Sequence, residues 1–273
     1  MPQVINTNIS SLTAQRNLNA SQGNLSSALN RLSSGLRVNS AKDDAAGIAI
    51  ATRLEAQSRG MSVAIRNAND ALSFLQTAEG GISKMTESLN RMRELAVQAA
   101  NGTYTNSDRE NLNAEFGQLS SEVARVVSQT QFNGIAMFTG TLGQQTFQVG
   151  ANTGQTISVN IASMGDPSIT LAGSDICSAA AATSVINAID TALNTVNSQR
   201  ADIGGAQSRF ESVVSQLQIA RENQEASRSR IMDADFAEET ARLTRAQILQ
   251  QAGTAMLAQA NALPNNVLTL LRG

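Results

Sequence analysis

The chain has 273 residues, 20 Lys and Arg against 22 Asp and Glu for a net charge of −2, and neither His nor Trp. Near-neutral charge implies no nucleic acid or membrane-surface partner, and the absence of His removes the usual general base, the commonest zinc ligand and every His-dependent triad. Aromatic residues make up 3%, too little bulk for an ordinary globular core, so a composition rich in Ala, Ser, Asn and Gln points to long helices packed through narrow seams.

The N-terminal stretch MPQVINTNISSL lacks a basic segment followed by an apolar one, so no cleavable signal peptide is expected. No run reaches the roughly 20 apolar residues of a membrane span, so no membrane insertion is expected. Ile5, Ile9, Leu12, Leu18, Leu25, Leu29, Leu32 and Leu36 form an apolar seam in an arm, residues 1–42, that carries Arg16, Arg31, Arg37 and Lys42 but no acid. In SSGLRVNSAKDDAAG the pattern breaks. Gly35 allows a bend, Ser40 with Asp43 gives an S-x-x-D helix start, and Asp43 and Asp44 fall in the first turn, where the helix dipole favours acids. Gly47 among alanines predicts close helix approach.

Between residues 61 and 99, Met61, Ile65, Ala68, Leu72, Leu75, Ala78, Ile82, Met85, Leu89, Met92, Ala96 and Ala99 recur at steps of four and three. Such a stripe over about five heptads predicts a coiled-coil helix. Gly80 and Gly81 weaken it by about 1 kcal/mol each relative to Ala without ending it. Asn101-Gly102 is a stop signal, and Ser107 with Glu110 predicts a capping box opening a second, antiparallel helix through Leu112, Phe116, Leu119, Val123 and Val126. Alternation at Phe147 and Val149, then Ile157, Val159 and Ile161, predicts one small β-hairpin over about 146–161 that must lean on the helices. Cys177 is the lone cysteine; with no His to activate it, it reads as an incidental thiol. From 179 to 232 the helical stripe returns through Ile186, Ile189, Leu193, Val196, Ile203, Phe210, Val214 and Leu217, and turns polar at Arg221, Gln224 and Arg228. A C-terminal arm carries its own seam: Leu249, Ala252, Met256, Ala260, Leu263, Val267 and Leu270.

The expected fold is mainly α: a long antiparallel helical bundle or coiled coil with paired N- and C-terminal helices and one small β-hairpin region. Neither arm alone buries enough surface to offset its ordering entropy, so the arms are expected to become helical on packing with each other and with neighbouring copies. By this argument the chain is an assembly protein.

Four segments, LSSGLRVNSAKDDAAGIAIATRL (32–54), LNRMRELAVQAANGTY (89–104), SQTQFNGIAMF (128–138) and SRIMDADFAEETARLTRAQILQQAGTAMLAQANALPNNVLTLLRG (229–273), together closely resemble bacterial flagellin, the filament subunit. The resemblance covers nearly the whole chain in the expected order. It implies an inner domain of residues 1–42 and 235–273 lining the filament channel, and a rod-like helical domain of residues 43–234. Only a short stretch separates Phe138 from Ala179, so the chain resembles a minimal flagellin without outer variable domains. The resemblance also implies export as an unfolded chain through the flagellar type III apparatus to an extracellular filament. Its implied partners are further copies of itself, an export chaperone at the C-terminal arm, and the filament cap and hook–filament junction proteins. The nearest alternative of the same kind is the junction protein itself, which shares the terminal-arm design.

The resemblance assigns Gly35, Arg37, Lys42, Asp43, Asp44 and Gly47 to the spoke joining the inner and outer shells, as helix-starting and intersubunit residues. It also implies, by position, that Leu89, Arg91, Glu94, Leu95, Gln98 and Glu115 are candidates for contact with a host Toll-like innate receptor. Asn90 and Leu119 depart from the residues common in responsive flagellins, and the alternative is that the same face serves filament packing alone. Arg91, Arg93 and Glu94 read either as a solvated helix face or as subunit interface. Thr153, Thr156, Ser158, Ser168 and Ser174 are candidate O-glycan carriers, with the unmodified chain as the alternative. A central zinc protease, found in some flagellins, needs H-E-x-x-H and hence His. The side-by-side acids Asp43/Asp44 and Glu238/Glu239 diverge by about 100° on a helix and do not converge on one ion. No catalytic residue, metal or cofactor is expected.

Overall fold

The computed structural model describes residues 7–272, with side chains described as far as residue 262. Ile5 and the side chains of Leu263, Val267 and Leu270 lie outside the described residues. Among the described residues six helices and four short strands follow in order: α1 (Ile9–Ser34), α2 (Ala45–Ala100), α3 (Asn106–Gln129), β1 (Gln131–Phe132), β2 (Ile135–Ala136), β3 (Gln144–Gln148), β4 (Thr156–Asn160), α4 (Pro167–Thr170), α5 (Ala179–Met232) and α6 (Phe236–Arg272). The chain divides into two compact units, Met1–Ala56 with Asn223–Gly273, and Gln57–Glu222. Those boundaries fall inside α2 and α5, whereas the helix breaks lie near 35–44 and 233–235.

The unit of residues 57–222 is built on the predicted stripe. Ala68, Leu75, Ala78, Ile82, Met85, Leu89, Met92, Ala96 and Ala99 of α2 are buried, and Leu72 packs half-buried against them. Each large side chain so buried contributes about 1.5–3 kcal/mol, and the intervening alanines keep the helices close. From α3 the stripe meets Phe116, Val123 and Val126, and from α5 Ile189, Val196, Ile203 and Phe210. Four of the eight aromatic residues form one chain of contacts: Phe74 stacks edge-on to Phe132 (5.6 Å), Phe147 lies 5.7 Å from Phe74, and Phe210 lies 5.7 Å from Phe147. Four rings thereby tie α2, β1, β3 and α5 together. Gly81 sits against Phe138, where a Cβ would come within 2.7 Å of the ring; the glycine keeps α2 close to the loop after β2.

The expected hairpin is present: β3 and β4 pair antiparallel from Gln144↔Asn160 to Gln148↔Thr156, with Ile157 and Val159 turned inward. A second hairpin, β1–β2, was not expected from the sequence. It turns on Asn133 (φ 49°) and Gly134 (φ 79°), an Asn-Gly pair in the left-handed region that two-residue hairpins require. The expected capping box is displaced. Thr105, not Ser107, caps α3, its Oγ1 accepting from the Asp108 N–H while the Asp108 carboxylate accepts from the Thr105 N–H at 3.0 Å. The reason is Arg109, which is buried and reaches back to donate to the Ala99 carbonyl at 2.8 Å and the Asn101 carbonyl at 3.0 Å. With Arg109 held on the end of α2, the helix start falls two residues earlier.

In the unit formed by Met1–Ala56 and Asn223–Gly273, α1 and α6 run antiparallel. Asn8 Nδ2 donates to the Ala260 carbonyl at 2.7 Å, Ser11 Oγ to Asn261 Oδ1 at 2.7 Å, and Arg31 Nη1 to Glu239 Oε1 at 3.1 Å. Gly253 faces Leu18, leaving 3.1 Å between a Cβ placed there and Leu18 Cδ1. The seam actually used runs through Ser11, Leu18, Leu25, Ala28 and Leu32 on α1, and Glu239, Leu243, Ala246, Gly253, Leu257 and Ala260 on α6. Ile9, Leu12 and Leu29, with Leu249 and Met256, lie on other faces and remain about half to two-thirds exposed. The reason is residue size: small and polar residues let the two backbones approach, Leu18, Leu25 and Leu32 of the sequence stripe stay half-buried beside them, and Ile9, Leu12 and Leu29 are left outward.

Candidate functional site

Three features carry chemistry or recognition: the junction after α1, the charged face of α2 and α3, and the exposed aliphatic side chains of the arms. At the junction, Gly35 ends α1 in the left-handed conformation (φ 69°, ψ 4°), which a side chain would strain. The chain then pairs with the segment between α5 and α6. Arg37 N–H donates to the Met232 carbonyl at 2.7 Å, Ala234 N–H to the Gly35 carbonyl at 2.9 Å, and Leu36 bridges Asp233. The Arg37 side chain repeats the grip, donating through Nη2 to the Ile231 carbonyl at 2.6 Å, and Val38 is buried beneath. Asp235 caps α6, accepting the Ala237 N–H at 2.9 Å.

The two adjacent acids separate. Asp43 Oδ2 turns back to accept the Ser40 hydroxyl at 2.9 Å, the Ser40 N–H at 3.0 Å and the Asn39 N–H at 3.2 Å. These bonds, the Ser40 hydroxyl first, hold its carboxyl below the usual range. Asp44 starts α2 instead, with Oδ1 accepting the Gly47 N–H at 2.8 Å and its carbonyl accepting the Ile48 N–H. The expected Ser40–Asp43 helix start is therefore a closed turn ahead of the helix, and Asp44 is the cap. Gly47 also differs from expectation: a Cβ there would run into the Asp44 carboxylate, so the glycine makes room for the cap. Lys42 is exposed.

On α2, Arg91 is exposed and donates to Glu115 Oε1 at 2.9 Å and to Glu94 Oε2 at 2.9 Å, joining α2 to α3. These partners, Glu94 first, push its guanidinium above the usual range. Arg93 pairs with Asp190 of α5 at 2.7 Å, lowering the Asp190 carboxyl. Gln98 donates to the Tyr104 hydroxyl at 2.9 Å. Of the six receptor-contact candidates, Leu89 and Leu95 are fully buried core residues. Arg91, Glu94, Gln98 and Glu115 are exposed and share one face.

Glu238 and Glu239 also diverge: Glu238 pairs with Arg242 at 2.5 Å, and buried Glu239 pairs with Arg31 at 3.1 Å and Arg242 at 3.5 Å. Among the described residues no group of three or more His, Cys, Asp or Glu is placed to hold a metal ion, and no helix is long and apolar enough to cross a membrane. Cys177 is a half-buried free thiol. Sequence reasoning missed Arg109 and the Arg31–Glu239 pair; the one signal for the latter was an acid at 239 in phase with Ala246, Gly253 and Ala260.

A family model described as the bacterial flagellin N-terminal helical region matches residues 5–142, and one described as the C-terminal helical region matches residues 186–271. The chain belongs to the bacterial flagellin family. A flagellin of Halalkalibacterium halodurans is 43% identical over 271 residues, covering 98% of this chain and 100% of that protein. The flagellar filament 33 kDa core protein of Treponema phagedenis is 40% identical over 289 residues, covering 98% and 100%. Flagellin A of Vibrio cholerae is 35% identical over 375 aligned positions, covering 98% and 99%, so that flagellin carries inserted segments this chain lacks. Among solved structures, Bacillus cereus flagellin is similar with a TM-score of 0.52 and 29% identity, over 56% of this chain and 88% of that one. A putative flagellar hook-associated protein from Vibrio parahaemolyticus shares the fold at a TM-score of 0.60 and 17% identity, over 70% and 100%.

Proposed function

We propose that this chain is a structural subunit of the bacterial flagellar filament, a minimal flagellin serving swimming motility outside the cell. The observation that carries the reading is the set of exposed aliphatic side chains on the arm pair. Ile9 is 65% exposed and Met256 64%, which is costly for an isolated chain and suited to burial by neighbouring copies. The contacts are heterologous, a patch on one copy meeting a different patch on the next, which gives open helical growth. Residues 1–42 and 235–273 line the channel, and residues 43–234 form the surrounding rod without outer variable domains. The role is structural, not enzymatic, and involves neither nucleic acid nor membrane insertion.

The same reading includes export as an unfolded chain by the flagellar type III apparatus. A chaperone covers the C-terminal arm, whose Ile248, Leu249 and Met256 are exposed, and the cap and hook–filament junction proteins bound the growing filament. The face of Arg91, Glu94, Gln98 and Glu115 serves packing between subunits and, in free monomer, contact with a host Toll-like receptor. Gly35, Arg37, Lys42, Asp43, Asp44 and Gly47 serve as turn-forming, helix-starting and intersubunit residues between α1 and α2. Counting copies in sheared filaments from cells making this chain tests the reading. A subunit is recovered as the dominant protein; recovery at a few copies per filament would indicate a junction protein instead.

A further inference from the structure

The β3–β4 hairpin is a two-stranded sheet with two free edges, and such edges are templates for pairing with other chains. Val149 N–H donates to the Gln155 carbonyl at 2.9 Å. By the alternation of an antiparallel ladder, the backbone groups of Gln145, Phe147, Ile157 and Val159 then point between the strands. Those of Gln144, Thr146 and Gln148 on β3, and of Thr156, Ser158 and Asn160 on β4, point outward.

Both outer edges are met by a side-chain amide from a helix. Gln199 of α5, 5% exposed, donates through Nε2 to the Asn160 carbonyl at 3.2 Å and accepts the Ala162 N–H through Oε1 at 3.0 Å. Its amide thus makes the donor–acceptor pair that one residue of an added strand would make. On the opposite edge, Asn67 Nδ2 of α2 donates to the Gln148 carbonyl at 3.1 Å. The Thr156 N–H is already turned onto the Gly154 carbonyl. On β4 only Ser158 keeps both outward groups open, too short a run to seat a strand.

We infer that Gln199, supported by Asn67, guards the edges of this hairpin, keeping it from pairing with the same hairpin of another copy when copies are crowded. The latent acceptor is the β4 edge, and the occupant it excludes is an extended segment with the sequence of β4 from a second copy. A groove of about 860 Å³ beside β4, walled by Ser198, Ala201 and Gly205 of α5, gives such a segment room once the amide is gone. Between the longer Asn194, Asp202 and Arg209 of the same wall, these small residues leave space for a second backbone.

The test uses the full chain and a fluorescent peptide copying residues 155–161, read by anisotropy, with circular dichroism as the fold control. Gln199→Ala should bind the peptide at least tenfold more tightly than the unsubstituted chain, and the Ser158 amide should gain exchange protection when peptide is added. Gln199→Glu, which keeps size and the acceptor for Ala162 but loses the donor to Asn160, should fall between. Equal peptide binding by all three chains, or a folded Gln199→Ala that melts earlier yet takes no peptide, would overturn the inference and leave Gln199 a packing residue. If Gln199→Ala does not fold, the unsubstituted chain decides. Slow exchange of the Ala162 amide supports the guard, and exchange as fast as an open edge amide refutes it.

Discussion

Arg31 of α1 and Glu239 of α6 lie 3.1 Å apart, with the glutamate side chain only 6% exposed, and they fix the register of the paired arms. Glu239 also faces Arg242 at 3.5 Å. Replacing it leaves two cations around a buried site, which costs more than the pair contributes. Glu239→Gln should weaken the α1–α6 pairing by about 1–3 kcal/mol, read as faster amide exchange in the first turns of α6 and the last turns of α1. Unchanged exchange would show that the apolar seam alone sets the register.

Asp43 and Asp44 should separate on mutation. Asp44→Ala removes the cap on α2, with an expected cost of about 1 kcal/mol, and should fray Ala45 to Ile48 by amide exchange. Gly47→Ala should have a similar effect, since its Cβ displaces the Asp44 carboxylate. Asp43→Ala should instead open the 39–43 turn and leave α2 intact. Identical exchange patterns for the two aspartate variants would contradict the division of roles.

Arg109 is the clasp between α2 and α3. Arg109→Ala leaves the Ala99 and Asn101 carbonyls without their donor and should cost about 1–3 kcal/mol in denaturant unfolding. Arg109→Lys should recover only part of this, because one ammonium replaces a guanidinium that spans two carbonyls. A neutral Arg109→Ala would remove the clasp.

Acid should loosen two local structures first. The Asp108 carboxyl is lowered by its hydrogen bonds to Thr105, and that of Asp43 by Ser40 and Asn39. For a depressed carboxyl the stabilisation is complete above the unfolded value, about 3.9, and is lost as pH falls through the lower folded value. Amide exchange, corrected for its intrinsic pH dependence, should therefore rise below about pH 4 at the start of α3 and in the 39–43 turn before it rises in the α2 core. Asp108→Asn should flatten that dependence at α3; an unaltered profile would contradict the assignment.

What the sequence made legible depended on whether a period was sustained. The α2 stripe from Met61 to Ala99 and the α5 stripe through Ile189, Val196, Ile203 and Phe210 were read in phase, because long heptad patterns admit one packing face. The arms were read partly in phase: Leu18, Leu25, Leu32 and Ala260 of the expected seams lie in the observed one, whereas Ile9, Leu12, Leu29, Leu249 and Met256 do not. Bulky Ile9, Leu12, Leu249 and Met256 draw attention, yet the pair closes on Ser11, Ala28, Ala246, Gly253 and Ala260, because close backbone approach needs small residues and aliphatic bulk is left for other partners. Local starts were missed where two capping patterns overlap: Thr105–Asp108 prevails over Ser107–Glu110 through Arg109, whose partners lie on the preceding helix. Among the receptor-contact candidates, the α2 period already turned Leu89 inward, while the motif that aligned it carried chain order alone; Leu95 lay outside the stripe as read, and both are buried.

As a flagellin, this chain should polymerise. Purified monomer, seeded with short filament fragments of the same protein and imaged by electron microscopy, should give long helical filaments whose yield falls for Leu12→Ser and Met256→Ser, exposed positions whose loss leaves the monomer folded. Soluble monomer under all seeded conditions, or filaments indifferent to both substitutions, would contradict the account.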